Sequence, residues 1–295
     1  ALAAPAELDL RAVVILTVCC GIWGVGLVMV KLSNAGISPL LNAGLRSVVA
    51  GLILFAWCQW RGIKLFERDA TLGAGLFSGF LFALEFVYLY LGLQLSPASR
   101  GTIFLHCAPF VAAYGEHIFV PGHRLTRTKV MGLVAAFFGL LIAFSDSLFS
   151  GSGGSIKGDL YCLLGGAFWG GTTVIIRASA LRSAAAEKTL LYQLAVSAVV
   201  LLAASPLIGE VGITSLTPTV LGAFAYTVVL VVIVGYSTWF WMMRTYSAAS
   251  LHAFTFLTPI FGTFAGFVML GEPITAATLA GLALVALGIY LVNRP

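Results

Sequence analysis

Apolar residues occur along this chain in ten long runs, at about 11–31, 39–60, 71–93, 98–119, 129–146, 158–177, 188–207, 218–238, 250–270 and 275–292. Each is bounded by a charge, a proline or a polar cluster. A helix needs about 20 apolar residues to cross the hydrocarbon of a bilayer. The pattern therefore predicts an all-α, polytopic membrane protein with ten transmembrane helices. Around 218–246 the far boundary is blurred, because apolar residues continue through Trp239 and Trp241. Ser145–Asp159, with an SGSGGS core, reads as a flexible linker at the midpoint.

Composition narrows the picture. Of 295 residues, 60% are hydrophobic and only 9% charged, against about 25% charged in a soluble domain. An ordinary soluble enzyme, a disordered chain and a disulfide-stapled secreted domain are excluded. Ten helices of about 20 residues leave short loops and no room for a soluble domain. The five cysteines all lie within apolar runs without a C-x-x-C pair and read as small apolar side chains. The first run follows a stretch without basic residues and reads as a span, not a cleaved signal.

The net charge of +5 does not mark a nucleic-acid surface, because the basic residues are scattered through the gaps between runs. They behave as topology signals. With the N-terminus in the cytoplasm, twelve of the sixteen Lys and Arg fall on the inner side, leaving Lys31, Arg46, Arg100 and Lys157. Both termini are therefore expected to be cytoplasmic.

The halves resemble each other. At an offset of 146, Trp23-Gly24 meets Trp169-Gly170, Lys31 meets Arg177 and Ser33 meets Ser179. Pro109 meets Pro259 at 150, and Gly122, Gly132 and Gly139 meet Gly271, Gly281 and Gly288 at 149. Residues 1–149 and 150–295 thus read as two five-span repeats. Five is odd, so the second repeat enters the membrane in the opposite sense, as in many secondary transporters.

These motifs resemble the drug/metabolite transporter superfamily, EamA branch: ten spans, Trp-Gly in the first span of each half, and proline in the fourth. The stretch from Leu257 to Thr275 follows the family pattern of proline, an apolar run, then Gly271-Glu272. The first half departs from it, with His123 after Gly122 where the family usually has Glu. The aromatic-rich spans are similar to those of YddG-type amino-acid exporters. The resemblance implies a secondary transporter in the bacterial inner membrane that exports small metabolites by alternating access. Amino acids with aromatic or other apolar side chains are favoured; the alternatives are another metabolite or drug of the same family, or a membrane-embedded enzyme.

Polar groups at membrane depth are costly and usually face the bundle interior. Glu85 lies well inside the third run, as a carboxylate for a substrate amine or a proton, or as a structural partner of Arg46. His106 precedes Pro109, which frees the carbonyl of Leu105; His252 sits seven residues before Pro259. Trp23 and Trp169 read either as interfacial belt residues or as cavity lining. Trp23, Glu85, Tyr88, His106, Trp169, Trp239 and His252 are the expected substrate-binding residues, around a cavity between the halves. Aromatic rings there would stack on an apolar side chain and attract an ammonium group. No catalytic motif is present, and Glu116-His117 are adjacent, not one helical turn apart. No catalytic residue, cofactor or metal is expected; the expected partners are a small-molecule substrate and the lipid bilayer, not nucleic acid, with a monomer as the working state.

Overall fold

A computed structural model describes residues 8–65, 67, 69–96, 98–145, 155–271 and 274–294. The described elements are helical: α1 (Leu10–Ser33), α2 (Pro39–Trp60), α3 (Thr71–Leu93), α4 (Ala98–Leu105), α5 (Ala108–Phe119), α6 (Arg127–Ala143), α7 (Ile156–Ala178), α8 (Ala186–Leu207), α9 (Pro218–Tyr226), α10 (Ser237–Met243), α11 (Ala248–Thr255), α12 (Leu257–Leu270) and α13 (Ala276–Val292). A π-helical segment, Thr227–Tyr236, makes α9 and α10 one continuous rod, Pro218–Met243. Among the described residues, seven helical stretches are long and apolar enough to cross a membrane.

Polar residues set the helix ends. Asp9, Thr126, Thr217, Ser247 and Thr275 each cap the helix that follows by accepting from a backbone N–H. Gly271 ends α12 in the left-handed conformation at φ 70°, which favours glycine. The eighth run extends to Met243 rather than 238, because no breaker interrupts its apolar residues. The linker is shorter than expected at its far side: Ile156–Asp159 already belong to α7. Its residues 146–154 lie outside the described part of the chain, as does Glu272.

The most extensive helix packings are α6 on α13, α3 on α7, α2 on α8, α3 on α8 and α1 on α12. Where α6 crosses α13, glycine meets glycine. A Cβ on Gly139 would come within 2.7 Å of Gly281 O, and one on Gly288 within 2.6 Å of Gly132 O. Without side chains, the two backbones approach closely. As residue numbers rise along α6 they fall along α13, so the pair is antiparallel. The same holds for α2 and α8, joined by Ser197 Oγ donating to Ser47 Oγ at 3.0 Å. The Trp-Gly glycines work likewise: Gly24 of α1 lies under Phe261 of α12, and Gly170 of α7 under Val111 of α5.

Candidate functional site

Two helix breaks meet near the middle of the bundle. α4 stops at Leu105 and α5 restarts at Ala108; α11 stops at Thr255 and α12 restarts at Leu257. Each break lies just ahead of a proline, Pro109 or Pro259. Proline has no N–H to give the carbonyl four residues back, so Leu105 O and Thr255 O lose their helical partners. Leu105 O rests against Gly166 of α7. Thr255 O lies 3.3 Å from His106 Nε2, across the molecule's midline, while His106 Nδ1 lies 2.7 Å from Thr102 O. One half's broken helix thus presents a histidine to the carbonyl freed in the other.

Around this junction the aromatic rings form a continuous series. His106 sits 5.8 Å from Phe256 and 5.9 Å from Trp169, centroid to centroid. Trp169 is 5.4 Å from His252, which meets Trp239 edge-on at 5.1 Å. Trp239 is 5.6 Å from Trp23, and Trp23 is 6.0 Å from Tyr236. Phe82, Phe86 and Tyr90 of α3 continue the series. These are the offset and edge-to-face contacts that aromatic quadrupoles favour. His252 is fully buried; its Nε2 lies 2.9 Å from Thr173 Oγ1, and its Nδ1 has no partner among the described residues.

Charged groups fasten the two ends of the bundle. At the end carrying Asp9 and Asn293, Arg177 donates to Glu116 Oε1 through Nε at 3.0 Å and Nη2 at 2.8 Å. Its Nη1 donates to Met243 O, and Glu116 Oε2 accepts from Ala248 N at 2.8 Å. His123 Nε2 accepts from Arg177 Nη2 at 2.9 Å. Burial pushes His123 below its ordinary value, which agrees with a neutral ring accepting there. A small cavity of about 60 Å³ adjoins this cluster. Beside it Lys188 donates to Asp69 at 2.8 Å. Hydrogen bonds from Lys188 and then Thr71 hold Asp69 down at about 2.

At the opposite end, Glu210 accepts from the Leu40 and Leu41 amides at 2.7 and 2.9 Å, at the N-terminus of α2. Arg100 and Ser96 both bond Asp159 at the start of α7. An open apolar groove of about 550 Å³ lies between α3, α5 and α7 and is lined by exposed Tyr114, Ile118 and Phe119.

The sequence matches the EamA-like transporter family over residues 10–145 and again over 156–294. The chain belongs to that family. Among relatives similar to this EamA-like chain, the uncharacterized transporter YoaV of Bacillus subtilis is 24% identical over 92% of each chain. A probable amino-acid metabolite efflux pump of Salmonella typhimurium is 26% identical, covering 92% of this chain and 90% of its own. A WAT1-related chloroplastic protein of Arabidopsis thaliana is 28% identical over 92% of this chain. A solved crystal structure superposes with a TM-score of 0.79 at 18% identity, covering 96% of this chain and 98% of the other. That likeness concerns the fold.

In this family member the expected site residues divide into two groups. Trp23, His106, Trp169, Trp239 and His252 come together in the ring series. They pack against one another in this conformation. Tyr88 points elsewhere, toward Tyr161 and Phe168 at 5.7 and 5.5 Å. Glu85 is buried nearby, and among the described residues it forms no ion pair with Arg46. Phe256, Tyr236 and Thr173 join the site without having stood out in the sequence. Phe256 had a signal, since it lies 150 residues after His106, at the same offset as the two prolines. Gln193 had none; it is fully buried, and neither end of its amide is bonded.

Proposed function

We propose that this chain is a secondary transporter that exports small metabolites, amino acids with apolar or aromatic side chains first, from the bacterial cytoplasm. It works by alternating access between two inverted five-helix repeats, 1–149 and 150–295, as a monomer with both termini cytoplasmic. Ten crossings count α4–α5 and α11–α12 as one broken helix each. The observation that carries this reading is the meeting of the two breaks, where His106 faces Thr255 O. Discontinuous helices at a repeat interface supply free backbone groups for substrate. Antiparallel packing of α6 on α13 and α2 on α8 supports inversion, since equivalent helices of parallel repeats would run the same way. The efflux-pump relatives support amino acids as cargo.

Trp23, Glu85, Tyr88, His106, Trp169, Trp239 and His252 are the proposed substrate-contacting residues, with Tyr88 reaching substrate only if its face of α3 opens. Saturable flux of labelled L-phenylalanine from sealed proteoliposomes, competed by other apolar amino acids, is the expected result. Flux rising linearly with concentration would make the protein a channel. Reporters fused after Leu148 and after Arg294 should mark the outside and the inside respectively, and the same compartment for both would defeat the five-plus-five arrangement.

A further inference from the structure

Arg46 of α2 and Glu85 of α3 are more than nine-tenths buried, at 5% and 8% exposure. Burying a charge is costly, and buried charges of opposite sign ordinarily pair. These do not: Arg46 Nε and Glu85 Oε2 have no hydrogen-bond partner, and no ion pair joins the two side chains among the described residues. Both sit on the same stretch of the α2–α3 contact, because the Arg46 guanidinium lies over Phe86, the residue next to Glu85. Phe86, next to Glu85 in sequence, holds the guanidinium 4.8 Å above its ring. Phe82, Phe86 and Tyr236 form the apolar wall beside the two charges.

We infer that Arg46 and Glu85 form a two-charge clamp for a zwitterion, with Arg46 taking the carboxylate and Glu85 the ammonium of one α-amino acid as the helices part around it. The inference rests on the transporter reading and narrows its substrate class. A planar guanidinium accepts a carboxylate in two parallel hydrogen bonds. A ligand bearing both charges completes both partnerships at once. One bearing a single charge leaves a buried group unpaired, which a site penalises far more than a missing apolar contact. Phe86 and Tyr236 then meet the side chain.

Three probes of similar shape decide the matter: L-phenylalanine, phenethylamine without the carboxylate, and hydrocinnamate without the ammonium. Each is measured by competition of flux in proteoliposomes and by thermal stabilisation of the protein in detergent. Wild type should prefer L-phenylalanine by about ten-fold or more, as expected for one charged hydrogen bond. Glu85→Gln should erase the handicap of hydrocinnamate but keep that of phenethylamine; Arg46→Gln should do the reverse. If Arg46→Gln fails to fold, Arg46→Lys should show the same direction more weakly. Variants that weaken all three probes alike overturn the clamp. So does a wild type that neither binds nor moves L-phenylalanine. Stabilisation with the crossed preference but without flux upholds the clamp and defeats the transporter reading. Flux that ignores the two charges does the opposite.

Discussion

Glu116 and Arg177 at one end of the bundle, and Arg46 and Glu85 deeper in it, are two buried acid–base sets with opposite bookkeeping. In the first, both Glu116 oxygens accept hydrogen bonds, and the guanidinium reaches a carboxylate, a carbonyl and an imidazole. In the second, Arg46 Nε and Glu85 Oε2 have no hydrogen-bond partner among the described residues. A satisfied set ties α5, α7, α10 and α11 together and has nothing left to offer a ligand. An unsatisfied set contributes no comparable tie, and its cost persists unless something else completes it. Similar burial therefore accompanies opposite bonding: one set fastens the fold, and the other is the proposed clamp.

The largest effect should come from breaking the satisfied set. Arg177→Met leaves the Glu116 carboxylate buried without its partner, at a cost of about 3–5 kcal/mol. The melting temperature in detergent should fall sharply, and adding Glu116→Leu should recover much of the loss. Arg46→Met should cost far less, because no hydrogen bond or ion pair to Glu85 is lost among the described residues. A sharp fall for Arg46→Met would show that its set is structural as well.

The helix breaks offer a smaller effect, of about 1 kcal/mol for a net hydrogen bond. Pro259→Ala returns an N–H to Thr255 O and competes with His106 for that carbonyl. The break should tighten, with transport reduced and melting unchanged or slightly raised. Full transport in this variant would remove the junction from the mechanism.

Sequence and structure agree where the information is local. The ends of α2 and α3 fall where the apolar runs end, because proline, glycine and charges mark them. Pro109 exposes Leu105 O by a rule of chain chemistry; Pro259 exposes Thr255 O by the same rule, so half of the junction was legible. Its other half was not, since His106 and Thr255 are 149 residues apart. The same limit applies to Arg177. Counted along the chain it is one more basic residue at a helix end; only packing reveals Glu116, 61 positions earlier, as its partner. The idea that Glu85 pairs structurally with Arg46 was equally reasonable from sequence; among the described residues no ion pair joins them, and the guanidinium lies over the Phe86 ring.

Acid should loosen the satisfied set before anything else. Burial holds His123 below its ordinary 6.5. The folded state therefore resists a proton that the unfolded chain accepts. By linkage, the stability this group supports is complete above about 6.5 and declines as pH falls through and below that value. His123→Gln should flatten that part of the melting-versus-pH curve. An unchanged slope would mean that His123 already carries its proton.

The smallest effect belongs to Asp69, whose carboxylate is 38% exposed and meets the buried Lys188 from outside. Its bonds to Lys188 and Thr71 lower it from 3.8 to about 2. A depressed carboxyl stabilises above its unfolded value and loses that contribution as pH falls through its folded one. The window is therefore about 4 down to 2, well below that of His123. Asp69→Asn should melt slightly lower than wild type at neutral pH, and the gap should close as the pH approaches 2. Solvent screens such a pair, so moderate salt should shrink the gap as well, while leaving the Arg177→Met loss almost intact. If salt erased both losses equally, the Glu116 set would be no better shielded than an ion pair at the surface, and its role as the fastening of that end would fall with it.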